Sequence, residues 1–209
     1  MSDWYFTVLS ETENVIVIER SKFICNVKGV ENEEDAKQFI ELIRKKHSLA
    51  NHNCYAYIAD DKGLIQKFSD AGEPQGTAGL PMLEVLKNKK MYKTVAVVTR
   101  YFGGIKLGTG GLTRAYGGSV SECLNHAKIA DMQKARFMQI KPDYEQYSRL
   151  LKLFSTTAVS VINTEFSDGV LVDVAIKLND YENFKLKLID YFNGKIEFLD
   201  KGSNYYNFG

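Results

Sequence analysis

Cysteine is scarce in this chain. Cys25, Cys54 and Cys123 are odd in number and widely spaced, with no Cys-x-x-Cys pair. That argues against a disulfide framework and fits reduced thiols in a cytoplasmic protein. An excess of one charge is also lacking. The 27 Lys and Arg offset 26 Asp and Glu to leave +1, so bulk charge cannot bring the protein to nucleic acid, and any such binding needs a local patch. Long apolar runs are missing, so no membrane span is expected. Met1–Ser10 has no basic segment leading into an apolar core, and no signal peptide is expected there.

What is present suits a folded protein. The 209 residues can bury a real core in one large domain or two small ones. The 44% hydrophobic and 25% charged content sits near globular averages and excludes extended disorder. Asn14–Ile18 and Lys22–Val30 read as paired strands. Asn32 reads as the cap of a helix that opens on Glu33, Glu34 and Asp35 and closes on Arg44, Lys45 and Lys46, complementing the helix dipole. Ala36, Phe39, Ile40 and Ile43 are spaced as its buried face. Asn53–Ala59 and Leu64–Phe68 read as a hairpin about Asp60–Gly63. Thr77 or Gly79 then caps a helix with Pro81 in its first turn. The run Val95-Ala96-Val97-Val98 marks a central strand buried on both faces. A loop, Gly103–Gly111, leads to a helix from Leu112 to about Lys128.

Near residues 131–134 the pattern resets, which sets domains at 1–133 and 134–209. Phe137–Lys141 reads as a strand, and Asp143 with Gln146 forms a capping box. Val159–Phe166 and Val170–Leu178 are strands, Asp180 caps a second helix, and Ile196–Leu199 is a last strand. The order β-α-β-β-α-β is the ferredoxin-like pattern. The tail beyond Lys201 is expected to fray.

One absence is local. Between Glu84 and Glu122 there is no Asp or Glu, while Lys87, Lys89, Lys90, Lys93, Arg100, Lys106 and Arg114 all fall inside. Seven of the sixteen glycines fall there too. Glycines let backbone N–H groups approach an oxyanion closely, and a helix N-terminus adds unpaired donors and partial positive charge. Lys106 and Arg114 could supply full charges. Arg100, Gly103, Gly104, Lys106, Gly108, Gly110, Gly111 and Arg114 are therefore the candidate anion- or nucleic-acid-binding set. The spacing is neither a Walker loop nor a dinucleotide fingerprint. The alternative is packing, with glycines that let a loop and helix sit close to a sheet and lysines that are simply solvated. For Lys87, Lys89 and Lys90, a helix C-terminus accounts for the charge without a ligand.

A second constellation is His52, Cys54, Asp70 and Glu73. His52 and Cys54 share a strand face by parity. A Cys near a His and carboxylates can serve as a nucleophile with its base. The alternatives are a small core thiol, a polar residue at a strand entrance and turn-building carboxylates. No metal site or cofactor is expected.

The run from Val97 through Gly118, VVTRYFGGIKLGTGGLTRAYGG, closely resembles the signature of the Impact/YigZ family. So do Asp70-Ala71-Gly72-Glu73-Pro74 leading to Gly76-Thr77-Ala78-Gly79-Leu80-Pro81, and His52-Asn53-Cys54-Tyr55-Ala56. The resemblance covers nearly the whole chain. It implies an α+β protein whose first domain is like the second domain of ribosomal protein S five. The second domain would be ferredoxin-like, as in the C-terminal part of elongation factor G. It also implies a translation context, with RNA or the ribosome as partner. An enzyme acting on a small phosphorylated or anionic substrate through His52, Cys54, Asp70 and Glu73 is the alternative. A protein-interaction regulator using the second domain's sheet is a third. Fold likeness alone warrants none of these.

Overall fold

The computed structural model describes residues 3–209. The chain divides into two compact units, one ending at Ala130 and the other spanning Asp131–Gly209. The first contains β1 (Trp4–Val8), β2 (Thr12–Ile18), β3 (Ser21–Gly29), α1 (Glu33–Lys46), β4 (His52–Ile58), β5 (Gln66–Ser69), α2 (Gly79–Asn88), β6 (Thr94–Tyr101) and α3 (Gly108–His126). Its sheet runs β2-β3-β6-β4-β5, antiparallel throughout.

Strand parity sorts the core into two layers. On one face, Phe39, Ile40 and Ile43 of α1 pack on Tyr57, Val95 and Val97. On the other, α2 and α3 cover Cys25, Val27, Cys54, Ala56, Ala96 and Val98. Covered on both faces, β6 is buried from Thr94 to Arg100, which is why its sequence is continuously apolar rather than alternating. α1 is capped as expected, with Asn32 Oδ1 accepting from the Asp35 N–H at 3.0 Å.

Three expectations change here. β1 was not foreseen; its Phe6 bridges Met91 and its residues continue the core edge. α3 starts at Gly108, so Gly108, Gly110 and Gly111 form its first turn rather than a loop. α2 is capped by neither Thr77 nor Gly79, because Ala78 holds the cap position and caps nothing with its own side chain. Asp70 caps it instead, reaching across from the preceding loop.

The second unit comprises β7 (Ile129–Lys141, which begins just inside the first unit), α4 (Tyr144–Phe154), β8 (Val159–Phe166), β9 (Val170–Lys177), α5 (Tyr181–Tyr191) and β10 (Glu197–Asn207). The order β10-β7-β9-β8, antiparallel at each pairing, is the ferredoxin-like arrangement. Met138, Ile140, Val172, Val174 and Ile176 face Leu150, Phe184 and Leu188 from the two helices. The Asp143–Gln146 capping box is present in both directions.

The ends of this unit depart from the sequence reading. β7 begins eight residues before Phe137. Asp180 makes no side-chain cap and closes a short 3-10 turn instead. The tail does not fray: it pairs with β7 out to Asn207↔Met132. Asp200 anchors it. Its carboxylate accepts from Arg136 Nε at 3.0 Å to each oxygen, from Tyr181 Oη at 3.0 Å and from the Gly202 N–H at 2.8 Å. The Arg136 guanidinium holds the Asp200 carboxyl well below the usual carboxylate range. Beyond it, the Phe208 N–H donates to Asp131 O at 3.2 Å. Among the described residues, no helix is long and apolar enough to cross a membrane.

One contact in the first unit fixes the loop that precedes α3. The β2–β3 hairpin turns through Glu19 and Arg20, at φ 46° and 63°, a left-handed pair that matches hairpin twist. Gly103 lies directly on this turn. A Cβ there would fall 2.0 Å from Arg20 C and 2.1 Å from Arg20 O. Gly103→Ala is therefore expected to cost about 2–3 kcal/mol or more, since backbone must move to admit the methyl group. Gly118 has open space around its Cβ position and lies inside α3. Gly118→Ala is expected to stabilise by about 0.5–1 kcal/mol. Urea unfolding of the two variants checks both signs.

Candidate functional site

The sheet register builds the site. Phe23 of β3 and His52 of β4 both pair with Arg100 of β6, so the three side chains stand in one rung on the face covered by α2 and α3. The next rungs, Cys25–Val98–Cys54 and Val27–Ala96–Ala56, are core. Arg100 is thus an arginine at the rim of an apolar layer, and its side chain is only 6% exposed.

A charge so placed needs a partner, and Glu73 supplies it from the loop before α2. Arg100 Nη1 donates to Glu73 Oε1 at 2.7 Å. Tyr116 Oη, from α3, donates to the same oxygen at 2.7 Å. The Glu73 side chain is 3% exposed. Arg100 Nη2 reaches Ser21 Oγ at 3.4 Å, and the Gly103 N–H donates to that same hydroxyl at 3.1 Å. Arg100 also lies over the Phe23 and Phe102 rings, 5.4 Å from each centroid. Burial raises the Tyr116 phenol well above its ordinary range and keeps it a donor.

His52 stands at the open side of this cluster. Its Nδ1 lies 3.0 Å from Ala71 O. A carbonyl oxygen only accepts, so Nδ1 carries a proton and donates it to this contact. Nε2 is 3.8 Å from Glu73 Oε1. Ala71 and Gly72 are both left-handed, at φ 46° and 89°, which turns the loop so that the Ala71 carbonyl meets the imidazole.

The other two members of the constellation face elsewhere. Asp70 Oδ1 accepts from the N–H groups of Ala78 and Gly79 at 3.0 and 2.9 Å, and Oδ2 from that of Gly76 at 2.9 Å. Asp70 is thus the cap of α2. The Cys54 thiol is fully buried and donates to Asp70 O at 2.9 Å. Burial pushes it up to about 12. As a thiol held neutral, it is poorly suited to act as a nucleophile near neutral pH. His52 and Glu73 come together beside Arg100; Cys54 and Asp70 support them from the core side.

His52, Glu73 and Arg100 line a cavity of about 480 Å³ together with Lys106, Gly108 and Thr109. Gly108 and Thr109 open α3. Among the described residues no side chain caps this helix, and no acid sits in its first turn, so its first N–H groups and dipole give this part of the lining positive potential. Phe102, Leu107 and Leu112 supply apolar surface.

The candidate anion set is divided by the fold. Gly103 is a packing glycine. Gly104 and Gly108 take left-handed φ of 87° and 69°. Gly111 packs on Leu107, and Gly110 lies near the Arg114 guanidinium. Arg114 does not line this cavity. It lines a neighbouring one of about 430 Å³ with Lys106 and Glu19. Arg100 is not a freely exposed cation, because Glu73 claims it. The acid-free window does not form one patch either. Lys93 pairs with Glu31 at 2.6 Å and Lys90 sits 3.7 Å over the Trp4 ring. Both precede β6, whereas Lys106 and Arg114 follow it, so the length of that strand separates the two groups along the chain. Among the described residues, no group of three or more His, Cys, Asp or Glu side chains is gathered to hold a metal ion.

Sequence reasoning missed the roles of Tyr116 and Ser21. Tyr116 shares the buried stripe of Leu112, Ala115, Ser119 and Cys123. A tyrosine on such a stripe must find a partner for its hydroxyl, and that spacing was legible.

Glu73→Ala would leave Arg100 and Tyr116 buried without their acceptor. It is expected to cost about 3–5 kcal/mol, with Glu73→Gln, which keeps an oxygen there, costing less; urea unfolding measures both. All three thiols are buried. A disulfide reagent at pH 8 is expected to modify none of them quickly in the native protein and all three after denaturation. Fast native labelling of Cys54 would restore the nucleophile reading.

Comparison with known proteins bears on the whole chain. The family described as Impact N-terminal domain matches residues 19–124, and a domain of unknown function, DUF1949, matches residues 140–195. The IMPACT family member YvyE of Bacillus subtilis is 44% identical over 180 residues, covering 86% of this chain and 83% of that protein. The IMPACT family member YigZ of Escherichia coli is 37% identical over 174 residues, covering 82% and 85%. A crystal structure of a hypothetical protein aligns with TM-score 0.61 and 33% identity over 95% of this chain and 98% of that one. With the two-unit α+β fold and the motif-bearing loops in place, these matches make the chain a member of the IMPACT family.

Proposed function

We propose that the first unit binds a small anionic ligand, bearing phosphate or carboxylate, in the cavity between His52, Glu73 and Arg100 and the start of α3. The observation that carries this reading is the uncapped, acid-free N-terminus of α3, which together with Lys106 faces a concave site of ligand size. The one carboxylate in the wall, Glu73, is already compensated by Arg100, so Lys106 and the helix dipole remain to attract an anion. The His52–Glu73 pair gives the same cavity groups able to exchange a proton, which keeps an enzymatic role within this proposal. A cytoplasmic setting belongs to it as well, supported by three free, buried cysteines.

A second reading is a translation-associated regulator bound to RNA or the ribosome. It is supported by the exposed Lys106 and Arg114, whose two adjoining cavities follow the same segment. Here the phosphates would lie along the surface instead of entering the cavity.

Calorimetric titration with inorganic phosphate and with single-stranded RNA separates the two. Under the first reading, phosphate binds wild type, Lys106→Ala weakens it about tenfold or more, and Lys90→Ala leaves it unchanged. Under the second, RNA binds far better than phosphate, with log affinity falling by about 0.7 per neutralised phosphate for each unit of log salt. Arg114→Ala then weakens it as much as Lys106→Ala. No binding of either probe, or equal loss in Lys90→Ala, would defeat both.

A further inference from the structure

Another cavity of the first unit is built by β1 against the end of α2. The Phe6 N–H donates to Lys90 O and the Tyr92 N–H to Phe6 O, each at 2.9 Å, which clamps the strand to the turn that follows the helix. Trp4 and Phe6 of that strand, with Met91, Leu124 and Ile129, give a cavity of about 440 Å³ its apolar lining, a volume in the range of small-molecule sites. Met91 and Leu124 are buried, whereas Trp4 is 38% exposed. An apolar guest would therefore cover aromatic surface that water now wets.

The rest of the lining is Asn88, Lys89, Lys90 and Asn125, two cations and two amides with no acid. Lys89 Nζ lies 3.4 Å from Asn125 Oδ1, and Lys90 Nζ lies 3.7 Å over the Trp4 ring. Among the described residues neither ammonium is held by a carboxylate. The C-terminal ends of α2 and α3 also reach this cavity. Their dipoles supply about half a negative charge each, which offsets about one of the two lysines and leaves the lining positive. Lys90 occupies a costly place. Its N–H donates to Lys87 O at 3.0 Å and that of Met91 to Leu86 O at 2.8 Å, a Schellman closure whose left-handed residue is usually glycine. Lys90 holds that place at φ 51°, a strain that an anionic guest for its ammonium would explain.

We infer that this cavity binds a small apolar acid, with its hydrocarbon or aromatic body on Trp4, Phe6 and Met91 and its carboxylate between Lys89 and Lys90. The site is separate from the anion cavity proposed above, with which it shares no lining residue.

The test titrates octanoate and 4-phenylbutyrate against octanamide and 4-phenylbutanamide, which keep the body and remove the charge. Trp4 is the only tryptophan of the chain, so its emission reports occupancy. At least one acid is expected to bind about tenfold or more tightly than its amide. The stronger acid tells an aliphatic guest from an aromatic one. In the double variant Lys89→Ala with Lys90→Gly, where glycine keeps the left-handed turn, the preference should fall to about one while amide binding stays within about twofold. Lys106→Ala, outside this lining, should change neither. Circular dichroism checks that each variant is folded. Equal binding of acid and amide, or a preference that survives in the double variant, overturns the inference. So does failure of all four to bind, or sedimentation showing a dimer that Trp4→Ala dissociates, because a second copy would then be the occupant.

Discussion

The first unit is organised around one buried ion pair. Arg100 and Glu73 are each nearly closed off from water, and neither would be tolerated there alone. Together they join three separate pieces of chain: the end of the central strand, the loop before α2 and, through Tyr116, the body of α3. Each piece brings something else with it. The strand brings the rung shared with Phe23 and His52. The loop brings Asp70, which caps α2 and receives the Cys54 thiol. The helix brings its uncapped first turn. All three pieces contribute to the lining of the cavity.

That arrangement also decides which charges are available. A basic count taken along the sequence treats Arg100 like Lys106, but the fold spends Arg100 on Glu73 and leaves Lys106 exposed. It likewise sends Lys90 to an aromatic ring and Lys93 to Glu31. Local positive potential therefore comes less from the number of cations than from a helix end that no described residue caps. The contrast between the two helices is instructive. The N-terminus of α2 is filled by the protein's own Asp70 carboxylate, whereas that of α3 carries neither a cap nor an acid.

Much of this was legible in the sequence, and the parts that were not share a cause. Periodicity revealed the buried face of α1, the doubly covered β6 and the alternating strand at Val170–Lys177, because burial acts directly on local pattern. The capping box at Asp143 was readable because its partners are three residues apart. The cap of α2 was not, since Asp70 reaches it from eight and nine residues away. The start of α3 was placed too late because glycines read as loop, although close approach to the Arg20 turn requires Gly103 and Gly108, Gly110 and Gly111 lie in the first helical turn. The constellation His52, Cys54, Asp70 and Glu73 does gather in one region. Its division into cavity wall and hidden support depends on which way the loop at Ala71–Gly72 turns, and only tertiary structure settles that. The long β7–β10 ladder escaped notice because the tail's Asn and Tyr residues carry no alternating signal; its hold comes from Asp200 and the backbone pairing.

That ladder has a topological consequence. Because β10 runs back along β7 until Asn207 faces Met132 and Phe208 bonds Asp131, the second unit begins and finishes at the same place. A module closed in this way can be joined head to tail and reopened at the Ser167–Gly169 hairpin with its strand pairings intact. It can also be spliced as a cassette into a surface loop of an unrelated host without forcing the host's flanking residues apart. The same closure makes it portable in evolution, since gain or loss of such a unit changes the length of a chain while leaving the geometry at the splice point nearly as it was.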